Sequence, residues 1–145
     1  MLESIFAPYS SLGLLFLRVG LGIVFFAHGW PKLNPNGPMK GLVGVAGFFK
    51  QAGIPLPGFY AWVVALLETV GAVLLILGLG TRILAIGYVI DMIVATLLVR
   101  IGMAKSPFSG GQGIGWEFEF ILGVAALALL FTGAGSFGLD AIVGL

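Results

Sequence analysis

Cysteine is absent from the 145 residues. That excludes disulfides, thiolate metal sites, iron–sulfur clusters and dithiol redox chemistry in one step. A single histidine, His28, excludes a bis-histidine haem. Charge is scarce: Asp, Glu, Lys and Arg make up 9% of the chain, against about a quarter in a soluble domain. Net charge is +1 and there is no basic run, so nothing points to nucleic acid or acidic partners. What is there is apolar: 59% of the residues are hydrophobic. A soluble fold of this size would lack the polar surface to cover itself. The composition is that of an integral membrane protein, with the lipid bilayer as its first partner.

A spanning helix needs roughly 20 apolar residues. Four segments approach this, at 12–30, 59–79, 82–103 and 116–132. The first ends at Pro31. Lacking a basic n-region and a small-residue cleavage pattern, it reads as a retained helix and not a signal peptide. The second opens after "IPLPG" and closes at "GLG"; the fourth closes at "GAG". Residues 39–52 carry Leu42, Val45, Ala46, Phe48 and Phe49 largely on one helical face, with Lys40, Lys50 and Gln51 elsewhere. This predicts a short amphipathic helix lying in the interface. The expected fold is all-α: one transmembrane domain, a left-handed four-helix bundle with that interfacial helix between helices one and two. Two glycine triplets, Gly78–Gly80 and Gly133–Gly135, close the two helical hairpins. Duplication of a two-helix unit and simple helix capping explain them equally well. Both termini fall on one side. Lys32, Lys40, Lys50, Arg100 and Lys105 lie in or beside the connections on the other, so the positive-inside rule puts those connections in the cytoplasm and the termini outside.

Three ionisable residues sit inside predicted spans: Arg18, Glu68 and Asp91. Unpaired near a bilayer centre they would cost roughly 8–10 kcal/mol together. Reckoned at 1.5 Å per residue, Arg18 and Asp91 lie about 9 and 13 Å in from the same side, with Glu68 near mid-depth. The three are expected to meet in one layer, Arg18 pairing with Glu68, Asp91 or both. Tyr88 lies one turn from Asp91 on the same face. Such a layer suits two roles: a pair that fixes helix register, and a site that binds a molecule. A second layer is expected at the opposite end. His28 and Lys32 are four apart, and Glu117 and Glu119 open helix four at similar depth. These two glutamates lie about 200° apart, so only one can point inward. The expected result is a pocket of His28, Lys32 and one of Glu117 or Glu119, with Phe48 or Phe49 of the amphipathic segment as its lid. One histidine and one carboxylate from distant helices make a poor first shell, so no metal is expected. The alternative is that these side chains are solvated at the interface and never meet.

The ordered set "LRVGLGIVFFAHGWPKL", "LLETVGAVLLILGLGTR" and "GWEFEFILGVAALALLFTGAGSFGLD" resembles the DoxX family of small four-helix membrane proteins. The likeness covers nearly the whole chain. By position, the family's polar signature falls on Arg18, His28, Gly29, Lys32, Glu68, Gly71, Gly78, Arg82, Glu117 or Glu119, and Asp140. Asp91 matches no position of that pattern. The resemblance implies a link to quinone-dependent oxidoreductases, since the family takes its name from a subunit of that kind. With no redox centre of its own, the chain would be an oxidoreductase component that works with a noncovalent quinone or a partner subunit; no catalytic residue stands out. The other readings are a structural or assembly subunit of a larger membrane complex, and a small-molecule carrier acting as a homo-oligomer. A bacterial or archaeal cytoplasmic membrane is the expected location.

Overall fold

The apolar runs fold as helices because a backbone in lipid must satisfy its own hydrogen bonds. A computed structural model describes Leu2, residues 7–110, Gly113 and residues 115–145. Helix α1 spans Ser10–Leu33 and contains Pro31. The expected stop at Trp30 is therefore not where the helix ends. Proline removes one N–H, here the donor to the carbonyl four residues back, and so close to the end the helix tolerates that loss. It stops at Asn34, whose backbone is extended, as a residue before proline prefers.

The amphipathic segment is α2, Gly41–Gln51. It buries Gly41, Val45 and Phe49, one residue per turn. Val45 and Phe49 pack with Ala61, near the start of the next helix. Helix α3, Pro57–Leu77, starts with proline in its first turn and ends at Gly78, where φ is 71°. Helix α4 is Thr81–Met103, α5 is Glu117–Thr132 and α6 is Asp140–Val143. Two helices widen into π turns: α3 at Leu67–Gly71 and α4 at Ala95–Met103. Neither was expected from the sequence.

All regular structure among the described residues is helical. Three stretches are long and apolar enough to cross a membrane: Ala7–Leu33, Pro57–Leu77 and Thr81–Met103. With 16 residues, α5 is about 24 Å long, short of a hydrocarbon core of about 30 Å. The core joins Leu21 and Phe25 of α1, Leu75 of α3, Tyr88 of α4 and Leu129 of α5. Glycine lets α1 approach α3: a Cβ at Gly22 would meet the Ala72 carbonyl at 3.0 Å, and one at Gly29 would meet the Glu68 backbone at 2.7 Å. The start of α1 lies beside the turn after α5, where the Ser136 N–H donates to Ser11 Oγ at 3.3 Å. The α3–α4 turn is at the same end, where the Asp140 N–H donates to the Gly78 carbonyl at 2.8 Å.

Candidate functional site: a lysine–glutamate pair inside the bundle

Gly29 brings α1 against α3 at Glu68, and one turn further Lys32 follows on the same side. Because α1 runs through Pro31, the Lys32 ammonium reaches Glu68 and donates to its Oε2 as an ion pair. Glu68 is buried and lies within the π turn of α3. Such turns often mark functional positions, since the extra residue frees backbone groups from the regular ladder. The Leu67 carbonyl in this turn accepts a hydrogen bond from the Tyr88 hydroxyl at 2.9 Å. The Tyr88 ring in turn stacks on Phe25, with centroids 3.9 Å apart. Asp91 follows one turn beyond Tyr88 on the same face of α4, near Glu68. Its Oδ2 is buried and receives no hydrogen bond.

One cation thus faces two carboxyls. Chemically the group sets two acceptor carboxyls beside one ammonium, a combination able to take up and release protons.

Glu68, Asp91 and Tyr88 do share a layer, but Arg18 is not in it. The expected pairing of Arg18 with Glu68 or Asp91 is not formed. Arg18 is fully buried and donates instead to the Ile76 carbonyl at 3.1 Å and the Leu75 carbonyl at 3.4 Å. These are last-turn carbonyls of α3, at its negative dipole end; the Leu75 carbonyl also accepts the Gly78 N–H at 3.0 Å. Gly78 is required here: a Cβ would overlap the guanidinium. Asp140 adds a negative charge nearby and accepts from the Gly80 and Thr81 N–H groups at 2.6 and 3.0 Å, capping α4. Burial alone would push the Asp140 carboxyl up. The Thr81 and Gly80 N–H groups, with the Arg18 charge, hold it below the usual carboxylate range.

Of the expected group of His28, Lys32 and a helix-four glutamate, no two are joined by a hydrogen bond or ion pair among the described residues. Lys32 is bound to Glu68. His28 is exposed, with Nδ1 2.8 Å from the Val24 carbonyl and its ring beside Phe118, centroids 5.5 Å apart. Glu119 is buried, at 8% exposure, and Glu117 is only half-buried, so one of the two does turn inward. Its partner is Arg100, whose Nε donates to Oε1 at 2.7 Å. Phe49 is buried against Val45 and Ala61 and Phe48 packs on that cluster, so neither serves as a lid over His28. Sequence reasoning did not single out Arg100 for a site. A basic residue in the last turns of α4, facing a carboxyl in the first turn of α5, was the signal available.

The DoxX family profile matches residues 13–101. The chain belongs to the DoxX family. Lys32, Glu68, Tyr88 and Asp91 all lie within the matched stretch. Among curated relatives of this DoxX protein, "Putative oxidoreductase CatD" of Bacillus subtilis is 36% identical, over 91% of this chain and 87% of CatD. An uncharacterized membrane protein of Mycobacterium tuberculosis is 31% identical, over 86% of this chain and 77% of its own length. The inner membrane protein YphA of Escherichia coli is 29% identical, over 88% of this chain and 87% of YphA. No solved structure matches. The family, the relatives' names and the apolar helices agree on a membrane protein.

Proposed function

We propose that this DoxX protein is a membrane component of a quinone-linked oxidoreductase system. Its own contribution is the proton. Reduction of a quinone to a quinol takes two electrons and two protons. The chain has no cysteine and one histidine, so the electrons come from a partner subunit. The observation that carries the reading is the Lys32–Glu68 pair with Asp91 beside it, buried at the π turn. Intramembrane carboxyls in such a setting are the usual parts of proton relays. Glu68 and Asp91 would hand the two protons to the quinone oxygens one after the other, the pair taking up a proton from water after each, with Lys32 beside the negative charge left behind. The CatD name supports an oxidoreductase setting.

The test is purification in mild detergent, with quinone extraction by mass spectrometry and a record of co-purifying proteins. Quinone and a redox partner are expected together. In that complex Glu68→Gln is expected to slow quinol formation by roughly 10²–10⁴, the size of a general acid–base contribution. A stoichiometric large partner with no quinone would replace this reading with an assembly subunit.

A further inference from the structure

Between α4 and α5 lies a groove of about 300 Å³. Val89, Met92 and Ile93 form one wall; Phe120, Val124 and Leu127 form the other. Ile93, Phe120, Val124 and Leu127 are exposed on the outer, lipid-suited surface, so the groove is reached from that side. Gly123 leaves α5 flat here: a Cβ would already touch Met92 at 3.4 Å. Glu119 is the one ionisable residue in the lining. Its Oε1 accepts from Arg100, whereas Oε2 is buried and receives no hydrogen bond. The residue as a whole is more than nine-tenths buried. A buried acceptor with no donor is costly, and it selects what relieves it.

We propose that this groove binds a small neutral amphiphile, with its apolar body between Met92 and Phe120 and its hydroxyl donating to Glu119 Oε2. The unpartnered Glu119 oxygen narrows the class. Arg100 already balances the Glu119 charge, so a cationic head would leave an excess. A carboxylate head would be repelled. A ketone, ester or ether oxygen would put an acceptor against an acceptor. A hydroxyl fits, and it costs little to desolvate from a membrane interior. Both aliphatic alcohols and phenols carry that group on an apolar body. The site is separate from the Lys32–Glu68 cluster and does not depend on the function proposed for it.

Trp116 lines the groove and provides the readout. Trp30 and Trp62 are exposed and can be replaced by phenylalanine, so that Trp116 fluorescence reports alone. The detergent-solubilised protein is titrated with 4-octylphenol, 1-dodecanol and 4-octylanisole, the last lacking a donor. Saturable binding is expected for at least one hydroxyl probe, at least about tenfold tighter than for the anisole. The probe that binds, phenol or alcohol, identifies the source class. Glu119→Gln turns an amide N–H toward the ligand and is expected to erase that preference. Gly123→Leu fills the groove and should abolish saturable binding of every probe, which keeps the test alive if Glu119→Gln does not fold. Equal affinity for the phenol, alcohol and anisole, or saturable binding that survives Gly123→Leu, would overturn the proposal.

Discussion

Lys32 organises the buried cluster from the last turn of a helix. Its side chain is 14% exposed and that of Glu68 5%, so the pair is largely out of water. Breaking such a pair by removing one partner typically costs about 3–5 kcal/mol, because a lone charge is left behind. Lys32→Met is therefore expected to lower the thermal midpoint in detergent sharply. Lys32→Met combined with Glu68→Leu should recover much of the loss. Circular dichroism melts of the three proteins check this; an unchanged midpoint in Lys32→Met would remove the pair from the stability account. The sequence reading set Lys32 beside His28 because they are four apart. Phe25, Gly29 and Lys32 in fact form one inward stripe at spacings of four and three. The glycine that lets α1 approach α3 was the legible clue to where the lysine points.

At the scale of an element, the fate of Arg18 shows what letters in a sequence omit. Read by letters, a charge pairs with a charge, and Glu68 and Asp91 are the carboxyls at a similar depth. The acceptors that hold Arg18 are main-chain carbonyls at the end of α3, which no residue name records. The π turns are silent in the same way, since a helix that is apolar on most sides gives no stripe in which an extra residue would show as a shift. Gly78→Ala should cost at least about 1–2 kcal/mol, since φ is positive there and the new methyl meets Arg18. Chemical denaturation in mixed micelles measures it. The Asp140 cap makes a pH prediction. Its folded carboxyl ionises more readily than in the unfolded chain. Its stabilisation is thus fully present above the ordinary carboxylate range, about pH 4, and is lost as pH falls through its lowered folded value. Melts from about pH 6 to pH 3 should show this acid limb. Asp140→Asn should be less stable at neutral pH and show a flatter limb; an identical profile would assign the acid sensitivity to other groups.

For the whole molecule, the apolar periodicity and the breakers made the helical order legible, from α1 to the closing turn. The helix-four segment, expected at 116–132, runs from Glu117 to Thr132 and is the shortest of the four, because Glu117 opens it and Gly133 closes it. Sidedness rests on a smaller base than the sequence suggested. Lys32 and Arg100 are both committed to ion pairs. That leaves Lys40, Lys50 and Lys105 as loop charges for the positive-inside rule, against Arg82 at the other end. The orientation they favour keeps α2 and the α4–α5 connection in the cytoplasm. The native lack of cysteine gives a clean test. Lys50→Cys and Leu145→Cys, both at exposed positions, should react with an impermeant thiol reagent from opposite sides of the membrane. Reaction of both from one side would overturn the topology.

The two arginine clasps bear on how the chain is made. Arg18 of α1 binds carbonyls 57 and 58 residues later, near the end of α3. Arg82, at the start of α4, repeats the arrangement with the Leu130 and Phe131 carbonyls near the end of α5. During synthesis at about 5–20 residues per second, Arg18 waits about 3–11 s for its acceptors to exist. Helix α1 alone is thus an incomplete membrane segment. It becomes complete when α3 arrives and its far end meets the arginine. Each helical hairpin thus carries its own latch, a residue of its first helix that finds its acceptors only when the second helix is in place.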